Sequence, residues 1–217
     1  MLLTTYTKDL AAELERSLEL VFDQKEITAR WARIARRLDL DFTDVFLDQE
    51  WRQVVLAQTL TAPEEYLKAP RTGRGSPLGP LKRLQVWRAI AAFEEQLRQA
   101  GERTFLQVCA EAARVAEELG GRPFRPVVVD EAQDLHPAQW RFLRSLSAPG
   151  PDDLFIAGDT RQRIYGNRVS LHSLGVPVMG RSHRLRINYR TTQEIPPVVR
   201  LAADRRGTGR HGPPSTP

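Results

Sequence analysis

Apolar residues follow two different rhythms along this chain. Over the first half they recur every three or four positions, the period of an α-helix. Leu10, Leu14, Leu18 and Val21 form one stripe, with Thr7 placed to cap it and Asp9 in its first turn. Ahead of it, "MLLTT" predicts a short strand. Residues 28–68 are mostly helical in pattern, with Trp31, Ile34 and Leu38 on one face and a second apolar series starting near Trp51. Leu84, Trp87 and Ala91, with Ile90, Phe93 and Leu97, predict another helix. Phe105, Val108, Cys109, Ala112 and Leu119 predict a further one, stopped at Gly120–Gly121. Between these, "APRTGRGSPLGP" at residues 69–80 has the Pro and Gly content of a loop. It reads either as a solvated basic linker or as a loop that touches phosphate.

The second half changes period. "PVVVD" predicts a strand buried on both faces, and "DLFIAGD" a second buried strand. Between them, Pro137 starts a short helix carrying Trp140, Leu143 and Leu146. "RLRINYR" predicts a third strand, and "TTQEIPPVV" a helix that Pro196–Pro197 bends or breaks. Buried strands alternating with helices predict a parallel α/β sheet. The expected organisation is a sheet start at 1–27, a mainly helical insertion at 28–120, the sheet core at 121–203 and a disordered tail at 204–217.

Composition narrows the partners. The 217 residues carry a net charge of +5, which suits an anionic partner such as nucleic acid. The charge is clustered: Lys68 to Arg88 contains six basic residues and no acid, and Arg181 to Arg190 four arginines and no acid. The single cysteine excludes an internal disulfide framework, so a reducing cytoplasm is expected, and Cys109 on a helix face reads as a buried thiol. The four tryptophans lie on apolar helix faces and read as core, and the four histidines lack metal-ligand spacing. No stretch has the length and apolarity of a membrane span, and the first residues do not have the pattern of a signal peptide.

Candidate chemistry sits at the strand ends. In α/β sheets functional groups gather beyond the carboxyl ends of the strands. Asp130–Glu131 follows "VVV", with a third acid at Asp134, and Gly158–Asp159 follows "LFIA". Nucleotide phosphoryl transfer needs a carboxylate for magnesium, a group that orients water and cations for the γ-phosphate. Asp130 and Glu131 suit the first two tasks, Gln162 could sense the γ-phosphate or its water, and Arg190 could supply the cation. A phosphate-cradling Gly-x-x-x-x-Gly-Lys-Ser/Thr is not found in the 217 residues.

Three of these segments, "VVVDEAQDL", "IAGDTRQRIYG" and "LRINYRTTQEI", resemble consecutive motifs II (Walker B), III and IV of UvrD/Rep-type superfamily 1 DNA helicases, in order and at plausible spacing. "LLTTYTKDLAAEL" resembles motif Ia of that family more weakly. The resemblance implies a P-loop NTPase-like (RecA-like) parallel sheet with an inserted helical subdomain. It implies ATP and Mg2+ as ligands, single-stranded or partial-duplex DNA and other DNA-repair proteins as partners, and ATP-driven movement along DNA. By residue, it implies that Asp130 binds magnesium and Glu131 is the catalytic base. Gln162 would couple the γ-phosphate to DNA movement, Tyr189 would stack on adenine, and Arg190 would contact the γ-phosphate. Thr5, Tyr6 and Thr7 would lie along the DNA, with Arg168 a further DNA contact. Where the family often has Arg-Trp-Arg after the motif III tyrosine, this chain has Gly166–Asn167–Arg168 and so lacks a base-stacking tryptophan. The family's Walker A loop and second motor domain are expected outside these residues, so the sequence reads as a motor domain truncated at both ends and ATPase-deficient by itself. The alternatives are a non-catalytic remnant that binds nucleic acid or a partner, and a motor from a helicase–nuclease assembly.

Overall fold

The computed structural model describes residues 2–4 by their backbone, and 24–75, 77–120, 122–158, 171–176 and 180–183. The chain separates into two units, Met1–Pro177 and Val178–Pro217. In the second, residues 180–183 are described and all are exposed. The expected strand "RLRINYR", the helix after it, the stripe from Leu10 to Val21 and the tail lie outside the described residues.

The first unit begins with β1 (Leu2–Thr4). Helices follow: α1 (Gln24–Arg37), α2 (Asp44–Glu50), α3 (Pro63–Lys68), α4 (Pro80–Ala100) and α5 (Phe105–Leu119). Next come β2 (Val127–Val129), a 3-10 turn at Ala132–Asp134, α6 (Pro137–Ser145), β3 (Leu154–Ile156) and a 3-10 turn at Leu171–Leu174. The strands form a parallel sheet in the order β1-β2-β3, with Leu3, Val128 and Phe155 in register. A parallel sheet joined through helices makes this an α/β architecture.

Local sequence explains the helix ends. The hydroxyl of Thr43 accepts from the Phe46 N–H at 3.1 Å and caps α2. Thr104 and Gln107 exchange side-chain and backbone bonds as a capping box on α5. Gly101 and Gly120 end α4 and α5 in the left-handed conformation, where a Cβ would be strained. Directly after α2 the backbone widens into a π-helix at Trp51–Leu56. This places Trp51, Val54 and Val55 together on the buried side.

Two apolar clusters result. In the helical cluster Trp31 stacks on Phe93 with centroids 4.0 Å apart, and Trp51 meets the same ring edge-on at 5.0 Å. In the sheet cluster Val127 and Val129 pack with Trp140, Leu143, Leu174 and Val176. Trp31, Trp51 and Trp140 are buried and Trp87 is half-buried against the helical cluster, as their helical spacing predicts.

Three expectations change. The buried face of α4 is Val86, Ala89, Ile90, Phe93 and Leu97, rotated from the expected one, so Leu84 and Ala91 are exposed. On α5, Cys109 and Ala113 are buried, but Leu119 at the last turn is 78% exposed. Neither strand is buried on both faces throughout: Val128 is half-buried and Phe155 is 64% exposed. Alternate strand residues point to opposite faces, so Phe155 lies opposite Leu154 and Ile156, which join the sheet cluster.

The arginine-rich loop is not a solvated linker. Arg71 and Arg74 turn inward, with side chains 5% and 8% exposed, onto the fully buried Glu50 at the end of α2. Arg71 donates from Nε and Nη2, Arg74 from Nε at 2.9 Å, and Tyr66 from its hydroxyl at 2.8 Å. Arg83 donates to the carbonyls of Tyr66, Leu67 and Ala69. The cations that suggested phosphate contact are thus committed to a buried carboxylate and to the carbonyls ending α3.

Candidate functional site

β2 is the middle strand, and Asp130 and Glu131 occupy its carboxyl tip with exposed side chains. β3 lies beside it in parallel, so the two strand ends named from the sequence are neighbours, with Asp159 itself outside the described residues. Backbone bonds bind the tips together. The Ala157 N–H donates to the Val129 carbonyl at 2.8 Å, and the Ala132 N–H returns to the Ala157 carbonyl at 3.0 Å.

That second bond requires the chain to reverse immediately after the strand. Glu131 makes the turn in the left-handed region, φ 49 and ψ 39. An L-residue there costs roughly 1–2 kcal/mol, a strain common at functional sites. The turn is held locally. Asp130 Oδ1 accepts from the Glu131 N–H at 2.9 Å, Gln133 Nε2 donates to Glu131 Oε2, and the Asp134 N–H donates to the Glu131 carbonyl at 3.0 Å. Asp134 Oδ1 is buried without a hydrogen-bond partner. At Gly158 a Cβ would stand 2.6 Å from Gln133 Oε1 and 3.1 Å from the Ala132 nitrogen. Glycine at this strand tip therefore leaves the room that the Gln133 side chain occupies beside β3.

The turn leads directly into α6 through His136. Its Nδ1 accepts from the Ala138 N–H at 3.1 Å, capping the helix, so Nε2 carries the proton and donates to the Arg52 carbonyl at 2.9 Å. Burial lowers the imidazole pKa to about 4. One turn along α6, the Arg141 guanidinium donates to the carbonyls of Leu56 and Ala57. Burial lowers its pKa as well. The segment after the acids is thus bonded to backbone carbonyls along and just past the π-helix in the helical cluster.

Of the sequence-derived site residues, Asp130 and Glu131 are brought together on one turn. Thr5, Tyr6, Thr7, Gln162, Arg168, Tyr189 and Arg190 lie outside the described residues. Sequence reasoning missed Gln133, His136 and Arg141. Gln133 had a signal, since it stands two positions after Glu131 in a tight turn. His136 had a weaker one in the glutamine three positions on, which completes its capping box. Among the described residues no group of three His, Cys, Asp or Glu is placed to hold a metal, and no helix is long and apolar enough to cross a membrane.

The region around this turn is similar to known proteins. Residues 89–174, which include β2, the acidic turn, α6 and β3, match the UvrD/REP helicase N-terminal domain. The chain is 32% identical over 193 residues to the ATP-dependent DNA helicase UvrD2 of Mycobacterium tuberculosis (strain ATCC 25618 / H37Rv), which covers 82% of this chain and 25% of that protein. It is 43% identical over 51 residues to an ATP-dependent helicase/nuclease of Pediococcus pentosaceus, 24% of this chain and 4% of that protein. The ATP-dependent helicase/nuclease of Lactobacillus johnsonii is 28% identical over 95 residues, 40% of this chain and 8% of that protein. The chain thus spans a quarter or less of the length of these relatives.

Proposed function

Residues 89–174 belong to the UvrD/REP helicase N-terminal domain family, and from that premise we propose that this chain supplies the acidic half of an ATP-hydrolysis site in a RecA-like DNA helicase motor. The observation that carries the reading is the Asp130–Glu131 pair at the carboxyl tip of the central strand of a parallel sheet, with the Gly158 tip beside it. UvrD2 and the helicase/nuclease relatives are all ATP-dependent, which supports the choice of ATP, and UvrD2 is a DNA helicase, which supports the choice of DNA.

The donor set suits magnesium. That ion keeps several waters and takes one or two carboxylates plus phosphate oxygens, so it needs no three-residue cage. Asp130, exposed and with Oδ1 on the Glu131 N–H, would hold the hydrated ion through its second oxygen. When bound, magnesium neutralises charge on the β- and γ-phosphates. Glu131 accepts the proton of the attacking water as that oxygen bonds to the γ-phosphorus. The bond from the γ-phosphorus to the β–γ bridging oxygen breaks, and ADP leaves with the electron pair. Arg190 would contact the γ-phosphate, Tyr189 would stack on adenine, and Gln162 would link the γ-phosphate to DNA. Thr5, Tyr6, Thr7 and Arg168 would line the single strand.

The 217 residues contain no Gly-x-x-x-x-Gly-Lys-Ser/Thr, so backbone amides and a lysine for the β- and γ-phosphates are not supplied by them. This polypeptide by itself is expected to bind single-stranded DNA in a salt-dependent way and to hydrolyse ATP negligibly. A DNA-stimulated ATPase assay with a parallel binding titration tests both. Robust turnover that Glu131→Gln abolishes would sink the ATPase prediction, and absence of strand binding at low salt would remove the DNA-motor reading. The missing cradle is also the one observation favouring a non-catalytic nucleic-acid-binding role. That role predicts strand binding with no response to Mg2+ and ATP in any longer form of the polypeptide.

A further inference from the structure

The acidic turn contains a side chain to which neither motif chemistry nor the strand-tip rule gives a task. Gln133 lies two residues after Glu131, and its amide reaches back to the Glu131 carboxylate at Oε2. Glu131 is held at φ 49 by the turn, so its carboxylate direction depends on what its side chain meets. The space for Gln133 exists because position 158 has no Cβ: one placed there would stand 2.6 Å from Gln133 Oε1.

From this geometry we infer that Gln133 is a positioning residue for the Glu131 carboxylate, and that glycine at 158 is required to keep it in place. The inference rests on the proposed role of Glu131 as the group that takes the proton from water. With Oε2 engaged by the Gln133 amide, Oε1 is the oxygen directed to the water. Asp130 is held separately, through the Glu131 N–H, so the two carboxylates have independent supports.

The clash at Gly158 separates positioning from stability. Its shortest contact is the far end of a flexible side chain, which can swing away, while the Ala132 nitrogen at 3.1 Å needs a shift of only a few tenths of an ångström. Gly158→Ala therefore displaces the Gln133 amide without dismantling the turn.

The test is a set of NMR spectra of the 15N-labelled 217-residue chain at one neutral pH, following the Gln133 side-chain amide, assigned by its disappearance in Gln133→Met. The expected result is that this amide sits displaced downfield of a free glutamine amide. The displacement should vanish in Glu131→Gln and in Gly158→Ala, and persist in Asp130→Asn. An amide at the free-glutamine position would overturn the inference. So would a displacement that survives Glu131→Gln, or one that Asp130→Asn removes. Should Gly158→Ala fail to fold, the Glu131→Gln and Asp130→Asn pair still decides. The readout is a spectrum rather than turnover, so failure here leaves the ATP-site reading standing. Failure of that reading in the assays above leaves this spectrum unchanged.

Discussion

Replacing Glu50 by alanine should destabilise the fold more than any surface charge change in this chain. Glu50 is fully buried and accepts four hydrogen bonds, two from Arg71 and one each from Arg74 and Tyr66. Its removal leaves two guanidinium groups, each less than a tenth exposed, without their anion. Stranding a buried charge costs about 3–5 kcal/mol, whereas an exposed, solvent-screened pair such as Arg98–Glu95 adds little. For a chain of this size that cost lowers Tm by on the order of 10 °C. Urea unfolding followed by tryptophan fluorescence is a suitable assay, because Trp31 and Trp51 sit in the same cluster as the π-helix that follows Glu50. Arg98→Ala is the exposed control, and the Arg71→Ala, Glu50→Ala double mutant should lose less than the sum of the singles. Acid should act in the same direction. Burial alone would raise the Glu50 pKa, but the bonds from Arg71, Arg74 and Tyr66 outweigh it and hold the carboxyl below its ordinary value. The stability from a depressed carboxyl is present above its unfolded pKa and is lost as pH falls through the folded one. A loss below about 1 kcal/mol in Glu50→Ala, or no excess over the Arg98→Ala control, would refute the buried-cluster account.

Two further outcomes follow from buried titratable groups. His136 has its pKa lowered to about 4 from 6.5, chiefly by burial. Its contribution is therefore complete above the unfolded value and is lost between that pH and about 4. Wild-type protein should lose up to roughly 3 kcal/mol more than His136→Gln on acidification across this window, measured by urea midpoints. Equal pH dependence in the two proteins would contradict the buried neutral imidazole. Cys109 is buried on α5 with its thiol pushed up to about 12, so it should resist alkylation in the folded protein and react at the ordinary rate in denaturant. Rapid labelling of the native chain would show that α5 does not pack as described.

Much of the site was legible because its chemistry is local. A β-branched run ends where charge begins, so Asp130 and Glu131 could be placed at a strand tip from their order alone. The stop at Gly120 is likewise written at the end of the helix it bounds. Parallel neighbours could be expected from alternation of strands and helices, and the β2–β3 pairing brings Gly158 beside the acids.

What stayed hidden is decided by partners far along the chain. The sequence marks which residues of a helix are apolar, but not how far the packed neighbour extends. Val86 and Ala89 are therefore buried while Leu84 and Leu119 face solvent. The same limit explains Phe155, whose burial depends on what covers the far face of the sheet. The loop carrying Arg71 and Arg74 read as either a solvated linker or a phosphate-contacting loop because its composition is basic. Only the placement of Glu50, 21 and 24 residues earlier, turns them inward. His136 and Arg141 meet the carbonyls of Arg52, Leu56 and Ala57 across about 84 residues of chain. Periodicity and local motif determined the elements and the identity of the acids. Tertiary structure determined which polar groups those elements consume, because a hydrogen bond or ion pair depends on distance in space and residue spacing encodes distance only within one element.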